Sequence, residues 1–166
     1  MKSRRVADLF DFVNFGSICA KCKNNCCHRF YAVLLPEEEE LFEEASTEVS
    51  TPLGPVKTLG RPGRVCPFLD ERGFCRVYNK RPMDCRAWPV IMYYDFETGE
   101  RVIYLDLDCE AVREKRVPAS LINKIIEVLA RAPIDDEWLK RYTLAPWPNN
   151  LVEIARIKLE KLEVSG

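Results

Sequence analysis

Residues 66–89 read "CPFLDERGFCRVYNKRPMDCRAWP", with Cys66, Cys75 and Cys85 placed 9 and 10 positions apart. Pro67, Gly73, Pro82 and Pro89 punctuate the stretch, so it cannot form a long helix or a long strand. Whatever orders it must come from outside a regular hydrogen-bond ladder. Recurring thiols are the candidate, because short loops of cysteine can be clamped by a metal or by disulfides.

Upstream, residues 19–27 read "CAKCKNNCC", four more cysteines in nine positions, and Cys109 follows downstream. Seven of the eight cysteines lie between Cys19 and Cys85, and residues 110–166 hold none. The asymmetry predicts one α+β domain over 1–166. Its cysteine-cluster core would span 15–112, with an irregular metal-clamped half and a β-hairpin, and a helical C-terminal part would span 113–166.

Thiolates bind zinc in fours, and the common iron–sulfur clusters also take four cysteines. Cys19 and Cys22 form a C-x2-C pair, and on a helix Cys26 falls within about 60° of both. Cys27 points elsewhere, as adjacent side chains must. It can serve a second metal, bridge a cluster edge, or pack as a small apolar residue. Cys66, Cys75, Cys85 and Cys109 can converge on the same site, and eight thiols suffice for two four-sulfur sites or one site with spare sulfurs. His28, the sole histidine, reads as a ligand or as a hydrogen-bonding neighbour of the site. Its uniqueness excludes a two-histidine metal triad.

The rest of the chain supplies the frame. "VIMYYDF" and "ERVIYLDL" flank a turn containing Gly99, the clearest hairpin in the sequence. "HRFYAVLL" suggests a short strand, and "PEEEELFEEA" a helix start with a solvated acidic face. Residues 46–64 hold several prolines and glycines and read as an exposed loop. Val6, Leu9, Phe10 and Val13 mark a short N-terminal amphipathic helix. Leu121, Ile122, Ile125, Ile126 and Leu129 form the stripe of another, and Asp135 opens a third. "NLVEIARIKLEKLEV" reads as a final helix, docked on its own domain.

Composition limits the function classes. Hydrophobic residues are 47% and charged residues 31% of the 166, ordinary for a globular protein. A net charge of −1 offers no global field for nucleic acid or an anionic membrane. No apolar run has transmembrane length, and Asp8 and Asp11 interrupt what could pass for a signal peptide. These features predict a cytoplasmic protein, where cysteines favour metal binding or catalysis over disulfides. The lack of glutamine and the abundance of Glu, Lys and Arg keep a disulfide-stapled thermophile protein in view.

The pattern C-x2-C-x3-C-C, followed by "CPFLDERGFCRVYNKRPMDCRAWP", resembles the YkgJ-type cysteine-cluster proteins. These are also called the CxxCxxCC family and are described as zinc- or iron-chelating. The second motif of that family is matched by Cys66, Phe68 and Leu69, by Cys75, Val77 and Tyr78, and by Arg81, Pro82, Cys85, Arg86, Trp88 and Pro89. A late cysteine after a hairpin also occurs in relatives, and Cys109 fits it. Two departures stand out: Lys23–Asn25 make three residues where the family name implies two, and Trp88 replaces a common Phe.

The resemblance implies a metal centre held by Cys19, Cys22, Cys26, Cys27, Cys66, Cys75, Cys85 and Cys109. Iron–sulfur is preferred to zinc, because vicinal cysteines and a surplus over four suit a polynuclear centre. Arg81 and Arg86 would offset cluster charge or grip an anionic substrate, or else pair with Asp84 or Asp70. Tyr78 would join them beside the site, and with Trp88 it also reads as a core or site-wall aromatic. Related cysteine-cluster segments occur in lysine methylases that modify flagellin, where an iron–sulfur centre is implicated. No Gly-rich nucleotide loop accompanies them here. Three functions therefore compete: a redox or group-transfer metalloenzyme, a non-catalytic zinc-stabilised binding or metal-handling module, and the disulfide-stapled protein.

Overall fold

The computed structural model of the chain describes residues 5–13, 31–61, 64–72, 75–147 and 150–157. It is a mixed helix-and-sheet fold of the α+β kind, with two three-stranded sheets among the described residues.

The hairpin forms where its branched and aromatic runs predict it. Strand β4 (Val90–Tyr94) pairs antiparallel with β5 (Arg101–Asp106), Val90 opposite Leu105 and Tyr94 opposite Arg101. The turn requires a left-handed residue, and Gly99 supplies it at φ 76° without the penalty a Cβ would bring.

The last segment departs from expectation. Leu151–Ile157 is a strand, β6, paired antiparallel with β5 from Asp106–Leu151 to Arg101–Ile157. The C-terminal part is thus not all helical. The hydrophobic spacing of LVEIARI fits either period. Val152, Ile154 and Ile157 are branched and favour extended backbone, and β5 offers an edge that would otherwise be unpaired. Arg156 secures the pairing through Asp95 at 2.8 Å and Glu100 at 3.4 Å, both beside the β4–β5 turn.

The second sheet overturns the loop reading of 46–64. Strands β1 (Ala32–Val33), β2 (Thr47–Val49) and β3 (Val56–Leu59) lie in the order β1-β3-β2, both pairings antiparallel. Prolines and glycines confine themselves to the β2–β3 connection and to the end of β3. Val56, Thr58 and Leu59 are buried, so β2 and β3 form a short hairpin and not an exposed loop.

Residues 32–35 divide two cores by simple alternation. Val33 and Leu35 enter the larger core, with Phe10, Ile91, Ile103, Ile125, Leu129 and Trp138. Ala32 and Leu34 enter a smaller one with Phe42 and Leu59.

Among the described residues four α-helices complete the frame: α1 (Met83–Ala87), α2 (Glu110–Arg113), α3 (Ala119–Arg131) and α4 (Asp136–Leu144). On α3 the expected stripe buries Ile125 and Leu129 fully and Leu121, Ile122 and Ile126 in part. Asp135 caps α4 by accepting the Glu137 N–H at 3.3 Å, the usual service of an N-terminal aspartate.

The N-terminal segment and the acidic run form tighter turns than ordinary α-helices. Val6–Phe10, Pro36–Glu38 and Glu40–Phe42 are 3-10 turns, the usual choice for pieces this short. No helix among the described residues is long and apolar enough to cross a membrane.

Candidate metal centre

The Cys66 loop begins at Gly60, whose φ of 79° turns the chain out of β3. Arg61 and Arg64 then exchange backbone hydrogen bonds of 3.1 and 2.8 Å, which narrows the turn ahead of the cysteine. Beyond Cys66 the chain doubles back. The Leu69 N–H reaches the Cys66 carbonyl at 3.1 Å, the Arg76 N–H reaches the Phe68 carbonyl at 2.8 Å, and Leu69 bridges to Cys75.

This return gives the Cys66 sulfur a definite environment. The backbone N–H groups of Phe68 and Leu69, the Arg76 guanidinium and the Cys75 thiol all lie close enough to influence its charge. Burial pushes the Cys66 thiol up, the neighbouring Cys75 adds to the push, and the two N–H donors and Arg76 oppose it. The N–H dipoles and the Arg76 charge suit a thiolate, while burial favours keeping the proton on. A metal ion resolves that conflict by taking the place of the proton. Cys66 and Cys75 are free thiols, so the donor set fits a thiophilic ion.

Cys85 sits in α1, half-buried against the smaller core, which Cys66 also lines. Cys109 is buried in the larger core at the start of α2, its carbonyl accepting the Val112 and Arg113 N–H groups at 3.1 and 3.0 Å. Asp106 links these last two segments. It takes the Trp88 indole N–H at 3.0 Å, and its own N–H bonds the Pro89 carbonyl at 2.9 Å. The structure therefore brings Cys66 and Cys75 together, places Cys85 on the same small core as Cys66, and sets Cys109 in the other core. Among the described residues no three potential ligands converge on one metal-sized site. Cys19, Cys22, Cys26, Cys27 and His28 lie outside the described residues.

The arginines are occupied. Arg81 stacks its guanidinium 3.9 Å from the Tyr78 ring centre and donates to the Tyr78 and Cys85 carbonyls at 3.0 and 3.3 Å. Arg86 is buried, and each of its three nitrogens is engaged. Nε donates to the Arg81 carbonyl at 2.7 Å and Nη2 to the Asn79 carbonyl at 3.2 Å. Nη1 bonds the Ala7 carbonyl at 3.2 Å and the Asp11 carboxylate at 2.6 Å. Its ion pair is with Asp11, neither Asp84 nor Asp70. Trp88 is a core aromatic, stacked on Trp147 at 6.2 Å.

Two carboxylates whose burial the sequence does not reveal attach to α1. Asp84 is 3% exposed and accepts the Val33 N–H at 2.9 Å and the Tyr142 hydroxyl at 2.6 Å. Burial raises its carboxyl to about 6. Glu38, expected on a solvated face, is 2% exposed and accepts the Leu35 and Met83 N–H groups, each at 2.8 Å. Burial raises it to about 7 against those donors. Four consecutive glutamates look alike in sequence; only the arrival of residue 83 singles one out.

Comparison with known proteins agrees with the sulfur chemistry. No curated protein and no solved structure matches the chain. A family model described as "CxxCxxCC: Putative zinc- or iron-chelating domain" matches residues 18–115, the stretch that carries all eight cysteines and helix α1. By that match over more than half its length, the chain belongs to the CxxCxxCC family of zinc- or iron-chelating domains.

Proposed function

We propose that the chain is a cytoplasmic, single-domain, cysteine-ligated metalloprotein that holds an iron–sulfur cluster in preference to zinc. Its ligands are drawn from Cys19, Cys22, Cys26, Cys27, Cys66, Cys75, Cys85 and Cys109. The observation that carries this reading is the tight return of the Cys66 loop, in which Leu69 bridges to Cys75 and two free thiols share one turn. Free thiols in that position also weigh against the disulfide-stapled alternative. In this reading the 19–27 cluster, which lies outside the described residues, would supply further sulfurs. The bound group would cross-link segments far apart in sequence and, as a cluster, supply one-electron chemistry.

A second reading has its own support. Arg86 spends its donors on three carbonyls and Asp11, which leaves it poorly placed to grip an anionic substrate. That favours a non-catalytic metal-stabilised module over a group-transfer enzyme.

Anaerobic purification with metal and acid-labile sulfide analysis tests the proposal. Stoichiometric iron and sulfide with visible absorption are expected. Colourless protein with stoichiometric zinc overturns the choice of iron, and protein free of both metals overturns the function.

A further inference from the structure

Arg61 and Arg64 face one another across an isolated antiparallel bridge, joined by backbone hydrogen bonds of 3.1 and 2.8 Å. Residues paired in this way send their side chains to the same side, with Cα atoms about 5.5 Å apart. Both arginines are exposed, and like charges placed opposite one another destabilise the turn that carries them. Among the described residues neither has a carboxylate partner, whereas Lys57, Arg86, Arg101, Arg116, Lys140 and Arg156 each form an ion pair. An anion that reaches both guanidinium groups offsets that repulsion.

Arg76 adds a third cation. Its Nη2 donates to the Pro67 carbonyl, and its charge is felt at Cys66. Val65 and Pro67 enclose Cys66 in sequence and are both exposed, Val65 by 49%. The arginines therefore flank a small apolar centre, the arrangement of a protein interface with a polar rim. Nucleic acid fits this face less well. Asp70 and Glu71 lie between Pro67 and Arg76 and repel a continuous run of phosphates. The nearby rings are also occupied and offer no platform for bases: Phe68 packs edge-on against Phe42 at 5.8 Å, and Arg81 covers the Tyr78 ring.

We propose that Arg61, Arg64 and Arg76, with Val65 among them, form a docking face for an acidic protein. The partner's carboxylates seat on the arginines, and one of its apolar side chains covers Val65. The contact is of the small, electrostatically steered kind. It goes beyond the metal-binding reading and does not depend on it; where Cys66 is a ligand, the partner arrives beside the metal.

The test uses full-length protein and three fluorescent probes of similar charge: poly-L-glutamate, a random Glu–Tyr copolymer and a DNA duplex. Anisotropy reads binding at low and at physiological salt. Wild type is expected to prefer the copolymer to both other probes, with an affinity that falls as salt rises. Each exposed ion pair is worth up to about fivefold, so Arg61→Ala/Arg64→Ala should weaken copolymer binding about tenfold. Arg113→Ala/Arg131→Ala, which removes the same charge from exposed positions elsewhere, should stay near wild type. Val65→Ser should abolish the preference for copolymer over poly-L-glutamate, and it gives the readout where the double variant does not fold. Arg61→Lys/Arg64→Lys, which keeps both charges, should retain most of the binding.

No binding by wild type, tighter binding of DNA than of copolymer, equal weakening in the two alanine doubles, or an unchanged preference in Val65→Ser overturns the proposal. Metal analysis of the same preparations separates the two readings. Metal-free protein that still binds the copolymer through Arg61 and Arg64 refutes metal binding alone, and metal-loaded protein that binds no probe refutes the docking face alone.

Discussion

Tyr142 donates its hydroxyl to Asp84 at 2.6 Å, joining helix α4 to the residue that precedes Cys85, 58 positions earlier in the chain. Its ring lies 4.9 Å from that of Trp138, whose indole N–H bonds the Leu34 carbonyl at 2.9 Å. Helix α4 thereby supports α1 and the strand that divides the two cores. The C-terminal elements, although free of cysteine, hold the cysteine-bearing half in register.

Removing that hydroxyl leaves a buried carboxylate short of a donor. Tyr142→Phe is expected to destabilise the protein by about 1.5–3 kcal/mol, the range for a hydrogen bond to a charged group. The denaturant midpoint should fall with an unchanged slope. An unchanged midpoint would show that the bond contributes nothing net.

Glu38 gives the fold a pH dependence with a definite sign. Its carboxyl titrates at about 7 in the folded protein against 4.5 ordinarily, because burial penalises the charge. A raised carboxyl gives stability that is fully present below the unfolded value and is lost as pH rises through the folded one. Thermal unfolding of wild type and Glu38→Gln, compared at each pH, should show wild type losing ground between about pH 4.5 and 7. The full difference is on the order of a few kcal/mol. A pH-independent difference would contradict the burial of that charge.

Gly60 turns the chain toward Cys66. A Cβ there would stand 3.1 Å from both the Arg64 carbonyl oxygen and the Cys66 nitrogen, at a φ of 79° that L side chains rarely adopt. Gly60→Ala is expected to cost about 1–3 kcal/mol and to lower metal content, because the backbone nitrogen it crowds belongs to a ligand candidate. Unfolding curves and metal analysis of one preparation check both.

The sequence legibly encoded the elements whose signal is local. The β4–β5 hairpin, the α3 stripe and the Asp135 cap are each written within a few residues, in side-chain period and turn chemistry. What it did not disclose was settled by distant partners. LVEIARI became a strand because β5 had an edge to offer. The Pro- and Gly-rich 46–64 stretch became β2 and β3 because Val56 and Leu59 had cores to enter. Residues 66–89 hold no long helix or strand among the described residues, as their Pro and Gly spacing predicts, although the short α1 forms within them, and the family was visible in their cysteine spacing together with the flanking Arg, Pro and aromatic residues. The fastening of Arg86 to Asp11 and of Asp84 to Val33 spans 75 and 51 positions, and no window of sequence contains either pair.

If sulfur from this chain holds the metal, it forms the metal's first coordination shell. X-ray absorption at the metal edge of the anaerobically purified protein measures that shell directly. A first shell dominated by sulfur near 2.3 Å is expected, with an iron neighbour beyond it where the centre is a cluster. Its sulfur count should drop in Cys66→Ser and in Cys75→Ser. A first shell of oxygen and nitrogen, unchanged by those substitutions, would contradict it.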